Sequence, residues 1–206
     1  MGFYEAQVLP RVIDVMCGNA EMEKVRRPVV DGLSGTVLEI GFGSGPNIGL
    51  YPAAVTDVLA VDPALVGRQL AEKRLAAHPD SPPVTYVGLD GAHLDLPDAS
   101  VDHALSTWTL CTIPDVLGAL HQVRRVLRPG GSLHFVEHGI SDDPRVARNQ
   151  HRFEPVQKRL AGGCHITRDI PDLLQAAGFR LEELARFQLA GPKVMSAMWS
   201  GVAVPV

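Results

Sequence analysis

An α/β fold built on a parallel sheet is the architecture this sequence predicts, and three observations predict it. Short β-rich runs alternate with longer helix-compatible stretches, the pattern of strands joined by crossover helices. The first of those runs opens directly into a glycine-rich turn, Gly41-Phe42-Gly43-Ser44-Gly45. The second ends on an acid, Asp62, 21 residues after Gly41.

Taken in order, the chain begins with Val8, Leu9, Val12, Ile13 and Met16 on one helical face, interrupted by Pro10. A face of this kind is expected to pack on its own domain. Glu5, Arg11 and Asp14 lie within the same pattern, and no cationic start leads into an unbroken apolar stretch. Neither a signal peptide nor a membrane span is expected. A polar, helix-compatible stretch follows from Asn19 to Val30. Strands are expected at Thr36–Ile40, Val55–Val61, Val84–Val87, Val101–Ser106 and Ser132–Glu137, where β-branched and apolar residues concentrate. Helices are expected at Asn47–Tyr51, Ala64–Ala77 and Pro114–Leu127. Pro82-Pro83, Pro97-Asp98 and Pro129-Gly130-Gly131 fall where crossovers end and strands begin. Arg145–Leu160 reads as a charged amphipathic helix, and Ile170–Ala177 as a shorter one stopped by Gly178. Two apolar runs, Leu181–Leu189 and Met195–Val204, close the chain.

Composition narrows the function. The 206 residues are 46% hydrophobic, enough for a proper core, and their length favours one domain. Nineteen Lys and Arg against 23 Asp and Glu give a net charge of -4, without the basic excess that draws a nucleic-acid backbone. Cys17, Cys111 and Cys164 are odd in number and widely spaced, which argues against a disulfide framework and against a CxxC metal or redox motif. A reducing cytoplasm is the expected compartment.

The chemistry concentrates at the first turn. Val37-Leu38-Glu39-Ile40 is a short apolar strand, and the glycines after it let the backbone approach a ligand closely. Asp62, at the end of the next apolar run, is placed to accept hydrogen bonds from both hydroxyls of a ribose. A dinucleotide fingerprint requires a third glycine where Pro46 stands, and a phosphate-binding loop requires a Gly-Lys-Ser/Thr that does not follow. Glu39 is a poor neighbour for a pyrophosphate and a good one for an ammonium. The expected ligand carries a ribose and a positive charge.

In these residues the sequence resembles the class I S-adenosylmethionine-dependent methyltransferases, whose first motif is an acid followed by a G-x-G-x-G turn. The resemblance implies a Rossmann-like sandwich: a seven-stranded, mostly parallel sheet of order 3-2-1-4-5-7-6, helices on both faces and an N-terminal helical cover. Within a single domain, residues 1–34 would form that cover, 35–140 the cofactor-binding core, and 141–206 the substrate-side helices and last two strands. It also implies S-adenosylmethionine as cofactor. Glu39, Gly41, Gly43 and Gly45 would serve its methionine part, Asp62 the ribose, Pro63, Asp90 and Gly91 the adenine, with Thr107 nearby. Leu96-Pro97-Asp98-Ala99-Ser100-Val101-Asp102 and Arg125-Val126-Leu127-Arg128-Pro129-Gly130-Gly131 match the family's segments before the fourth and fifth strands.

Downstream, Thr107-Trp108-Thr109-Leu110-Cys111, Glu137-His138-Gly139, Gln150, Pro155, Gly163-Cys164, Thr167-Arg168, Leu174 and Ala177-Gly178-Phe179 look like the alkyl thiol S-methyltransferases and their bacterial relatives. A small-molecule acceptor, a thiol foremost, is what that likeness implies. Membrane-associated members carry an apolar N-terminal anchor, so a soluble enzyme without stable membrane insertion is expected here. A C- or O-methyltransferase of the quinone-biosynthesis kind and a cofactor-binding protein without catalysis remain alternatives. His138, at the carboxyl end of the fifth strand, is the candidate base; the alternative is that His138 and Glu137 orient a loop by hydrogen bonds. Trp108 and His165 are expected on the acceptor side. Cys111 reads as a packing residue; Cys164 and His165 are adjacent, a spacing that rarely shares one tetrahedral ion, and no other pair along the chain offers metal-ligand spacing.

Overall fold

The computed structural model describes residues 7–206, so the part of the N-terminal reading that rests on Glu5 lies outside the described residues. Parallel strands buried on both faces need apolar side chains on both, and strand β1 (Gly35–Ile40) shows it: Val37 through Ile40 are all buried. Leu38 and Ile40 join the core layer on one side of the sheet, while Val37 joins the layer on the other.

Six further strands complete one sheet: β2 (Val55–Val61), β3 (Val84–Gly88), β4 (Val101–Thr107), β5 (Leu127–His138), β6 (Phe179–Gln188) and β7 (Ala197–Pro205). Their order is β3-β2-β1-β4-β5-β7-β6, as expected. The first five pair in parallel, and β7 runs antiparallel between β5 and β6. The carboxyl ends of β1, β2, β4 and β5 therefore meet at one edge, where open α/β sheets bind ligands.

Helices cover both faces. Among those before β5, α1 is Leu9–Cys17, α2 is Ala20–Val30, α3 is Leu65–Ala77 and α4 is Val116–Val126. Beyond it, α5 is Pro144–Leu160, α6 is Ile170–Ala176 and α7 is Lys193–Ser196. Helix α4 buries Val116, Ala119, Leu120, Val123 and Val126, a stripe at helical spacing. Each Val or Leu in it stabilises the fold by about 1.5–3 kcal/mol. Its partner in that layer is α6, through Ile170 and Leu174, while α2 and α3 fill the opposite layer with Val29, Val30 and Ala71.

Three local expectations are corrected. No α-helix forms at Asn47–Tyr51; the chain makes successive tight turns, with Ile48 N donating to Gly45 O and Leu50 N to Asn47 O. Gly45 and Gly49 adopt φ of +69° and +84°, which no right-handed helix contains, and Pro46 and Pro52 bracket the segment. Pro10 does not interrupt α1 but sits in its first two positions, where the missing N–H costs nothing. The apolar face of α1 also packs less than expected: Leu9 is buried, but Val8, Val12, Ile13 and Met16 are exposed.

Candidate active site

The site is built from the carboxyl edge upward. At Gly41, with φ of +77°, a Cβ would stand 1.9 Å from Thr109 Oγ1, so only glycine lets the first turn touch the loop after β4. At Gly43, with φ of +53°, the nearest atom to such a Cβ would be 3.9 Å away, so that face of the turn is open to a ligand. Gly45 completes the turn beside Ile48. Asp62 ties the end of β2 to this turn. Its Oδ2 accepts from Gly43 N at 2.8 Å and its Oδ1 from Ala64 N at 2.7 Å. Burial pushes its carboxyl above the ordinary value, and the two backbone donors oppose that rise. Pro63 is exposed next to it.

Beneath the turn, Glu39 is fully buried. Its carboxylate accepts from Asn47 Nδ2 at 2.8 Å and from the Tyr51 hydroxyl. The Asn47 amide also reaches Thr107 Oγ1 at 3.3 Å, which joins β1 to β4. Burial lifts the Glu39 carboxyl from 4.5 to about 7, against the Tyr51 and Asn47 hydrogen bonds and the charge of Arg26. Arg26, from α2, is 2% exposed; its Nη1 donates to Cys17 O at 2.6 Å and its guanidinium lies 4.6 Å from the Trp108 ring centroid. Asn47 Oδ1 and Arg26 Nε are buried without a hydrogen-bond partner. A buried acceptor and a buried donor left open beside a carboxylate are what a zwitterionic ligand can satisfy.

The loop after β4 is organised by Glu137, also fully buried. One oxygen accepts from Ser106 Oγ at 2.7 Å and Thr109 N at 2.9 Å, the other from Cys111 N at 3.2 Å. Trp108 turns within this loop at φ of +53°, and its ring centroid lies 6.4 Å from that of His138.

Sequence reasoning missed the most compact cluster of all. His138 Nδ1 lies 3.7 Å from Cys164 Sγ and 4.0 Å from Cys111 Sγ, and the two sulfurs are 3.5 Å apart. Cys111 packs in a small buried cluster with Cys164 and Ile166, as expected, and its sulfur also faces His138. Ligand spacing that is absent along the chain exists in space, because the segment after α5 folds back: His165 N donates to Cys111 O at 2.7 Å. The His165 ring itself turns away to Glu154, with Nδ1 and Oε1 3.0 Å apart. Asp90 is exposed just beyond β3, where it accepts from Ala92 N at 2.9 Å and faces His93. Those contacts, the Ala92 amide foremost, hold its carboxyl below the ordinary value. Gly91 is buried, where a Cβ would stand 3.2 Å from Ile40 Cγ2. Arg26 and Tyr51 carry no sequence signal of a site role, since each looks like an ordinary helix or turn residue; Glu137, in the Glu137-His138-Gly139 segment, does orient a loop by hydrogen bonds.

A family model described as a methyltransferase domain matches residues 38–135. Human thiol S-methyltransferase TMT1B is 32% identical over 178 residues, which cover 82% of this chain and 72% of that protein. The chain belongs to the class I S-adenosylmethionine-dependent methyltransferases. Human thiol S-methyltransferase TMT1A is 30% identical over 155 residues, 74% of this methyltransferase and 63% of the relative. In fold, a crystal structure of a Bacillus halodurans methyltransferase described as putative superposes with a TM-score of 0.68 at 18% identity, covering 87% of this chain and 94% of that one. S-adenosylmethionine is the cofactor of this enzyme, and the residues present fit it. The open face at Gly43, the orphaned Asn47 Oδ1 and the buried Glu39 carboxylate stand together at the sheet edge where a nucleoside bearing a positive charge can lie.

Proposed function

We propose that this methyltransferase methylates a small-molecule thiol. The observation that carries the reading is the place of His138: half-buried at the end of β5, beside Trp108, with its Nδ1 turned to the sulfurs of Cys164 and Cys111. The thiol S-methyltransferase relatives support the acceptor class.

The cofactor, when bound, supplies an electrophilic methyl group on a sulfonium. Everything else is the work of the chain. Glu39 and Asn47 meet the ammonium of the methionine part, Gly41, Gly43 and Gly45 admit it closely, and Asp62 takes the ribose hydroxyls. Pro63, Asp90 and Gly91 border the adenine, and Thr107 holds the Asn47 amide in place. Trp108 and the segment of His165 wall the acceptor side and exclude water. His138 promotes ionisation of the acceptor, a modest task for a thiol, which is partly ionised near neutral pH. With positioning already supplied, a thiolate needs little further help. The free cysteines support a reducing, cytoplasmic setting for such chemistry.

Incubation with methyl-labelled cofactor and a panel of thiols, phenols, quinols and amines tests the proposal. Label on thiols is the expected result. Label confined to phenols or quinols overturns it in favour of O- or C-methylation.

A further inference from the structure

Two thiols and an imidazole from three separate parts of the chain converge behind Trp108. Cys111 comes from the loop after β4, His138 from the end of β5, and Cys164 from the turn after α5. Each offers one ligand atom, and the three atoms lie within 4.8 Å of one another. Cys111 and Cys164 are 1% and 4% exposed, while His138 is half-buried.

The separations are those of a metal site. A tetrahedral zinc ion, with bonds of about 2.3 Å to sulfur and about 2.0–2.1 Å to nitrogen, sets its sulfurs about 3.8 Å apart and each sulfur about 3.6 Å from nitrogen. The observed 3.5, 3.7 and 4.0 Å match those edges within a few tenths of an ångström. Two soft thiolates with an imidazole also form the donor set that selects zinc over the hard cations.

We propose that Cys111, His138 and Cys164 bind a zinc ion whose fourth position takes the acceptor thiol. This rests on the thiol reading above and deepens it. Three protein ligands with one open place are the arrangement of reactive rather than structural zinc sites. Water occupying that place leaves as the thiol sulfur bonds to zinc, and the S–H proton passes to solvent, so the bound acceptor is a thiolate. His138 then promotes ionisation as a ligand, and the indole of Trp108 lies beside it, the ring centroids 6.4 Å apart.

The environment supports this. Arg168 is held at the same loop, where its Nη1 and Nη2 donate to Leu110 O and Ile113 O on either side of Cys111. Its positive charge beside that loop favours the thiolate form that binds metal.

The test uses the whole chain, purified without chelator and loaded with zinc or cobalt(II). Zinc at about one ion per chain is expected, with affinity falling at least about tenfold in Cys111→Ser, Cys164→Ser and His138→Gln but unchanged in Cys17→Ser. Cobalt should give a thiolate charge-transfer band that shifts when 2-mercaptoethanol is added. Because the buried Cys variants can fail to fold, alkylation of the wild-type chain is the second measurement: zinc should protect Cys111 and Cys164, and a chelator should expose them. No zinc uptake above the Cys164→Ser level, or equal alkylation with and without zinc, overturns the site. So does a Cys111–Cys164 disulfide that forms equally fast with zinc present. A cobalt band indifferent to added thiol overturns the open position. Undiminished thiol methylation by zinc-free protein overturns this inference and leaves the acceptor reading intact. A zinc-bound protein that methylates no thiol overturns the acceptor reading and leaves the site.

Discussion

Asp62 Oδ2 accepts a hydrogen bond from Gly43 N at 2.8 Å, so the acid that closes β2 and the glycine turn that closes β1 are one unit. The acid shapes the turn, and in the proposed site it also takes the ribose hydroxyls. Asp62→Ala is expected to weaken S-adenosylhomocysteine binding by about 1–3 kcal/mol, the scale for a lost hydrogen bond to a charged group. Isothermal titration checks it, and unchanged affinity would refute the ribose role.

Glu39 predicts a pH dependence with a definite sign. Its carboxyl is raised by burial from 4.5 to about 7, so between those values the folded chain holds a proton that the unfolded chain has released. The stability it contributes is present below about pH 4.5 and lost as pH rises to about 7. Denaturation midpoints of the unliganded protein, wild type minus Glu39→Gln, should fall across that window. An ammonium needs the ionised form, so S-adenosylhomocysteine affinity should rise about tenfold from about pH 6 to about pH 8 in the wild type only. A flat wild-type profile would remove Glu39 from the ammonium site.

Glu137 holds three donors of one loop, from Ser106, Thr109 and Cys111. Glu137→Gln sets an amide N–H against one of those donors, and a cost of about 1–3 kcal/mol in urea denaturation is expected. Turnover should fall with it, because the same loop carries Trp108 and Cys111. Wild-type stability and turnover would show that the loop holds its shape without the carboxylate.

Two glycines separate strain from collision. Gly130 has φ of +83° with nothing within 4 Å of an added Cβ, whereas Gly41 has φ of +77° and would drive that atom into Thr109. Gly130→Ala should cost about 1–2 kcal/mol, the left-handed backbone penalty alone. Gly41→Ala should cost more in thermal melts and weaken cofactor binding, which Gly130→Ala leaves unchanged. Equal effects would mean that the turn yields to the methyl group without loss.

Much of this was legible along the chain because it rests on local rules. The alternation of β-branched runs with the α4 stripe marks strands and helices wherever they pack, and the glycine turn with Asp62 marks the cofactor edge. The missing helix at Asn47–Tyr51 shows the limit of such rules: its apolar residues suit a helix, but Gly45 and Gly49 adopt positive φ within the close-packed turn. The wide spread of the cysteines hid their meeting in the same way.

By itself the sequence determined the sheet, its ligand edge and a cofactor with a ribose and a positive charge, since period, turn chemistry and motif spacing act over a few residues. Only the tertiary structure decided that Arg26 would slide beneath Trp108 and that Cys111, His138 and Cys164 would converge. Those meetings depend on how helices and loops close over the sheet edge. Packing sets that closure, and no spacing along the chain encodes it.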